Sequence, residues 1–68
     1  MVEIYTLPTC GICHMVKTKL NNKHIDFQEF NLEDYVNVLH TDHAPVLKIN
    51  NEVILTSPNE IVNWINKQ

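Results

Sequence analysis

Cys10-Gly11-Ile12-Cys13 contains the only two cysteines of the chain and separates two segments of different periodicity. The run Val2-Glu3-Ile4-Tyr5-Thr6 before it is rich in β-formers, and Met15 through Lys23 after it reads as a helix. The two thiols therefore stand at a strand-to-helix turn, at the N-terminus of the helix. There they can close a small disulfide, and the positive end of the helix dipole lowers the thiolate pKa of the first cysteine. A thiol–disulfide exchanger needs this arrangement. The same bond is a weak staple, because the loop it closes is already short and its closure removes little entropy from the unfolded chain. The pair is therefore expected to serve chemistry rather than stability.

The remaining residues must supply the core. A chain of 68 residues forms one domain at most, here residues 1–68. At that size only about 60% of the unfolded surface is buried, so the core is thin. An apolar fraction of 44% is that of a globular protein. The net charge is −3 with no basic cluster, which argues against a nucleic-acid partner. No charged-then-apolar segment opens the chain, and no apolar run approaches the ~18 residues of a membrane span. The expected location is the cytoplasm, with no membrane partner. Paired thiols there are more often catalytic or metal-binding than structural.

Pro8 ends the first strand, and Ile12, Val16 and Leu20 fall on one face of the following helix. Lys17, Lys19 and Lys23 lie toward its C-terminus, where positive charge is favoured, and Asn21-Asn22 marks its end. Ile25 through Phe30 alternates apolar and polar, the pattern of a half-buried strand. Asn31 reads as the N-cap of a short second helix, with Glu33 and Asp34 in its first turn and Tyr35, Val36, Val38 and Leu39 along it. After the loop Thr41–Ala44, Pro45 opens a strand over Val46–Ile49. Asn50-Asn51 turns it into a hairpin with Val53–Leu55. Ser57, Pro58 and Glu60 match N-cap, N1 and N3 of a last helix, and Ile61, Trp64 and Ile65 give it an apolar face. The order β-α-β-α-β-β-α implies one parallel βαβ unit and one antiparallel hairpin. An α/β fold follows, a mixed four-stranded sheet with helices packed on it. Tyr5, Phe27, Phe30 and Trp64 are expected in the core, His24 and His40 on the surface at helix ends, and Asp26 partly buried.

Ile4-Tyr5-Thr6, Pro8 and the Cys10–Cys13 motif resemble the first strand and active-site turn of the glutaredoxin family, within the thioredoxin-like fold. Ala44-Pro45-Val46 is similar to that family's segment with a cis-proline facing the active site. The spacing from Pro45 through the hairpin to the last helix fits as well, so the resemblance covers nearly the whole chain. It implies a disulfide oxidoreductase that acts as a monomer on protein or low-molecular-weight disulfides and holds no tight cofactor. Cys10 would attack and Cys13 resolve, and the backbone of Ala44 beside Pro45 would pair with an extended substrate. Thr56 and Ser57, at the start of the last helix, would meet glutathione. The chain departs from the glutathione-using pattern at Leu7, where a basic residue is usual, and at Ile12, where an aromatic one is. It departs again at Leu55, Thr56 and Asn59, where two glycines and an acidic residue are usual. Ala44-Pro45-Val46 is also similar to the glutaredoxin-like electron donors of ribonucleotide reductase, which thioredoxin reductase reduces. Those donors carry a Ser-Gly-Phe-like segment before the last helix, which is absent here. Glutathione and thioredoxin reductase both stand as reductants, and ribonucleotide reductase as a possible target.

Other residues near the motif leave alternatives open. Lys17, one turn beyond Cys13, is expected on a solvated face, with electrostatic help to the thiolate as the other reading. His14 completes the Cys-x-x-Cys-His pattern of c-type haem attachment, a reading opposed by the strong strand patterns. His43 either stands over Cys10 as an acid or base or is a solvated loop residue. A second class of function is a metal or iron–sulfur module, with Cys10 and Cys13 joined by His14, His43 or a second copy of the chain. A third, a redox-inert adaptor, conflicts with the intact cysteine pair.

Overall fold

In the computed structural model, which describes residues 1–68, strand β1 (Val2–Thr6) lies inside the sheet. It pairs in parallel with β2 (Phe27–Asn31) and antiparallel with β3 (Val46–Ile49), and β4 (Val53–Leu55) extends the sheet beyond β3 in the order β2-β1-β3-β4. Helices α1 (Gly11–Asn22), α2 (Val36–Leu39) and α3 (Pro58–Asn66) complete the expected order. The parallel pair follows from the crossover through α1, which returns the chain to its starting end before β2 begins.

Alternation along β1 divides the core between the two faces of the sheet. Val2 and Ile4 pack with Val16 and Leu20 of α1, Leu47 of β3, and Ile61 and Ile65 of α3. Tyr5 points the other way, into a smaller cluster with Leu32 and Val46. There its ring lies 5.4 Å from that of Phe30 and 5.1 Å from that of Tyr35, a three-ring group that widens a thin core. Phe27, Phe30 and Trp64 are half-buried flanks of these clusters, not members of the sealed core. The outer strands have only one neighbour, so their side chains are covered on fewer sides. Asp26 is exposed, because β2 begins at Phe27, two residues later than the alternation implied.

Helix α1 starts at Gly11 rather than Met15, with Cys10 in extended backbone as its N-cap. It ends at Asn22, where Asn21-Asn22 marks the stop, with Lys23 as its C-cap. His24 takes the left-handed conformation, φ 58°, while Ile25 N–H donates to Leu20 O at 3.0 Å and His24 N–H to Asn21 O at 3.0 Å. These are the two bonds of a Schellman cap, and Ile25 packs back on the cluster that holds Leu20. The expected second helix is broken. Asn31 caps a 3₁₀ turn, Leu32–Asp34, by accepting from Glu33 N–H, and α2 is a single turn closed by a left-handed His40. Burial of Leu32 and the seating of Tyr35 among the rings set this break.

Asn50 and Asn51 both take positive φ, 52° and 62°, and Glu52 N–H closes the hairpin on Ile49 O at 3.0 Å. Asn tolerates this conformation better than other residues with a side chain. The N-terminal ammonium donates to Asn50 Oδ1, tying the start of β1 to that turn. Ser57 is the N-cap of α3 and Pro58 its first residue, but the Ser57 side chain makes no capping bond, so the expected capping box does not form. Buried Ile61 and Ile65 hold the helix instead. At its far end the Gln68 carbonyl accepts from Lys23 Nζ at 3.2 Å.

Candidate active site

Strand directions gather the expected site at one end of the sheet. β1, β2 and β4 run toward that end and β3 runs away from it. Tyr5 lies opposite Val46, so Pro45 falls beside Thr6. Leu47 lies opposite Leu55, so Thr56 falls beside Val46. The loop that leads from β1 to Cys10, the Ala44–Pro45 segment and the start of α3 are therefore neighbours, although they lie far apart in sequence.

Cys10 and Cys13 are joined by a disulfide, with Cα atoms 5.3 Å apart, inside the range that such a bond spans without backbone movement. Cys13 is one turn into α1 and 2% exposed, whereas Cys10 is half-buried at the cap. Cys13 N–H donates to Cys10 Sγ at 3.0 Å, and Cys10 N–H closes the preceding turn on Leu7 O at 3.1 Å. A sulfur in this position takes the place of the usual oxygen cap and receives the donors of the helix N-terminus. When the disulfide opens, the same donor stabilises negative charge on Cys10. A methyl group built on Gly11 meets nothing within 4 Å, so the approach over the motif is open. Ile12 and Met15 stand exposed beside it, 46% and 39%.

The other expected residues fall into two groups. The Ala44–Pro45 peptide is cis; Pro45 is buried, and Ala44 packs with Leu7 against the cluster of Tyr5, Leu32 and Val46. Ser57 is half-buried and Thr56 exposed. His43 lies in solvent, 3.5 Å from Asp42, which settles its two readings in favour of a solvated loop residue. No group of three or more His, Cys, Asp or Glu side chains comes together as metal ligands, so a closed metal site would need donors from outside the chain.

A cleft of about 450 Å³ opens next to the disulfide, on the β2 side. Cys10, Cys13 and His14 line it together with Thr6, Lys17 and Glu29; Ala44, Pro45, Thr56 and Ser57 do not. Glu29 Oε2 accepts from the Thr6 hydroxyl at 2.7 Å and from Lys17 Nζ at 3.0 Å. The Thr6 bond first, and then the Lys17 bond, hold the Glu29 carboxyl below its ordinary range. Lys17 is thus neither on a free solvated face nor an unopposed positive charge for the thiolate. Thr6 and Glu29 were not singled out from the sequence. The signal was present in two spacings: Glu29 shares a strand face with Phe27, and Lys17 follows Cys13 at i+4 on α1.

The chain matches the glutaredoxin family model over residues 2–54. No curated protein matches it. Among solved structures it is similar to the glutaredoxin-like NrdH-redoxin from Escherichia coli, at 21% identity and TM-score 0.71, covering 91% of each chain. A thioredoxin-like protein superposes at TM-score 0.76 with 20% identity, covering 96% of this chain and 99% of the other. A glutathione transferase homolog from Sulfitobacter, with bound glutathione, superposes at TM-score 0.81 with 17% identity; 98% of this chain covers 36% of that one. These likenesses show a thioredoxin-like fold. The family match spans most of the chain and includes a CxxC pair joined as a disulfide; the protein belongs to the glutaredoxin family and is a dithiol thiol–disulfide oxidoreductase.

Proposed function

We propose that this chain works in the cytoplasm as a monomeric electron donor to disulfides, protein disulfides among them, and is itself re-reduced by thioredoxin reductase. The observation that carries the reading is the bond from Cys13 N–H to Cys10 Sγ at a half-buried helix cap, with Cys13 sealed behind it. In the reduced protein Cys10 attacks one sulfur of a substrate disulfide, forms a mixed disulfide and expels the first substrate thiolate. Cys13 then attacks Cys10 Sγ, restoring the Cys10–Cys13 bond and releasing the second thiolate. Two protein thiols are oxidised, one substrate disulfide is reduced, and the two protons leave on the products. Ala44 and Pro45 offer backbone beside the motif to an extended substrate strand.

The choice of reductant is supported by Leu7, Ile12, Leu55, Thr56 and Asn59, which replace residues that hold glutathione in its users. The Escherichia coli neighbour, a glutaredoxin-like protein with a thioredoxin-like activity profile, supports the same choice. The similarity of Ala44-Pro45-Val46 to the electron donors of ribonucleotide reductase makes that enzyme a target to test. The experiment is NADPH consumption during reduction of a small disulfide, run once with thioredoxin reductase and once with glutathione and glutathione reductase. Turnover in the first alone is the expected result. Turnover with glutathione alone overturns the choice of reductant and assigns Thr56 and Ser57 to glutathione. Activity in neither, with Cys10 readily alkylated, shifts the reading to metal binding.

A further inference from the structure

The wall of the cleft beside the disulfide carries charges whose bonding capacity is only partly used. Glu29 Oε2 accepts two bonds, but Glu29 Oε1 accepts none from the protein, and Lys17 uses one of its three donors. The pair is partly open to solvent, with side chains 31% and 41% exposed. Such a pair adds little to stability. Its position is one where an apolar side chain would extend the core, since Phe27, two residues earlier on the same strand face, packs there. The only other ion pair of the molecule, His43 with Asp42, lies in solvent away from this cleft. A positive and a negative group with free valences, 3.0 Å apart beside a reactive disulfide, match a ligand that carries both charges on one carbon.

We propose that this cleft selects low-molecular-weight disulfides whose arms end in an α-amino acid head group. The ligand carboxylate takes the free donors of Lys17, its ammonium takes Glu29 Oε1, and one of its sulfurs is presented to Cys10. Bonds between charged partners give both the attraction and the orientation. The inference rests on the reading of the chain as a disulfide reductant and adds the class of small substrate. The step keeps the balance given above: two amino-acid thiols leave, each with one proton, and Cys10 and Cys13 are left joined.

The test uses the full chain, reduced with a phosphine and freed of it, so that no reductase is needed. It is mixed with cystine, with cystamine, which lacks the carboxylates, with dithiodipropionate, which lacks the ammonium groups, and with hydroxyethyl disulfide, which lacks both. Each rate of protein oxidation is divided by the rate of the same disulfide with dithiothreitol, which removes intrinsic reactivity. The expected result is a normalised rate for cystine about fivefold above the other three, the scale of two partly exposed charge contacts. Lys17→Met should bring cystine down to cystamine, and Glu29→Gln should bring it down to dithiodipropionate, each ratio being read within one variant. Normalised rates equal within about twofold, or a cystine preference that survives both substitutions, overturn the inference and leave the disulfide-reductant reading standing. A protein that reacts with all four no faster than dithiothreitol overturns that reading, and the inference with it.

Discussion

The backbone N–H of Cys13 donates to the Sγ of Cys10 at 3.0 Å, so the second cysteine of the motif supports the first through its main chain. In the reduced protein this donor and the helix N-terminus favour the Cys10 thiolate. At neutral pH, Cys10 should be alkylated about tenfold faster than a free cysteine, the effect of roughly one pKa unit. Cys13, buried in α1, should be the slower of the two. Peptide mapping after a brief exposure to iodoacetamide measures both rates, and a Cys10 no faster than free cysteine contradicts the assignment.

The two sulfurs should fail differently when substituted. Cys10→Ser removes the attacking group and should abolish turnover. Cys13→Ser should still attack once and then stop as a mixed disulfide, because nothing resolves it. Intact-mass measurement after mixing with a small disulfide should find the adduct in Cys13→Ser and not in Cys10→Ser. The reverse pattern would exchange their roles.

Leu20 is fully buried where α1 meets the sheet and α3. Leu20→Ala should cost about 2–5 kcal/mol, lost burial plus the cavity left behind. A chain of this size has in total about 3–10 kcal/mol, at roughly 0.05–0.15 kcal/mol per residue. The variant should therefore unfold at a much lower urea concentration or be largely unfolded without denaturant. A midpoint close to that of the parent would show that this core is not the one that holds the fold.

His24 stands at φ 58° in the cap that ends α1. A side chain there costs about 1–2 kcal/mol relative to glycine, partly offset by the greater freedom glycine has in the unfolded chain. His24→Gly should therefore stabilise the protein by about 0.5–1 kcal/mol. Urea titration of the two proteins side by side measures it, and a loss of stability would mean that the imidazole itself supports the cap.

Acid and alkali should each weaken the fold through one named group. The folded-state value of Glu29 lies below its ordinary 4.5, so its contribution is complete above that pH and is lost as pH falls through the lower folded value. Glu29→Gln should flatten the acid side of a stability profile. Burial, then the charge of Glu3 and then Tyr35, raise Tyr5 above 10.0, so its contribution is complete below that pH and is lost as pH rises through the higher folded value. Tyr5→Phe should flatten the alkaline side. Unfolding midpoints at pH 3 to 11 test both, and variant profiles as steep as the parent's count against each cause.

Much of this molecule is legible in its residues because local and global preferences agree. Ile12, Val16 and Leu20 share a helical face, Asn50-Asn51 suits the hairpin, and Pro58 suits a first turn, so the order of elements follows from short-range rules. Helix ends are less visible. Asn21-Asn22 does mark the last residues of α1, but the cap that follows them is set by Ile25 reaching back to Leu20, which the asparagines do not reveal. Asn31 correctly marks a cap, but the rings of Tyr5, Phe30 and Tyr35 decide that the following helix breaks. The cysteines declared themselves through spacing. The cleft did not, because Thr6, Lys17 and Glu29 come from three elements and meet only when β1, α1 and β2 pack together.

Where the chain starts and finishes has a practical side. Met1 is fastened to the Asn50 turn, and Gln68 lies against Lys23 at the trailing end of α1, both opposite the disulfide. Whatever is joined to either terminus, a tag, a tether or a second polypeptide, leaves from behind the working end and does not shade it. The Sulfitobacter transferase homolog, in which the matching region is about a third of a longer chain, carries the same architecture alongside other polypeptide. A unit of this shape can be treated as a cartridge, fixed from the back and reacting from the front.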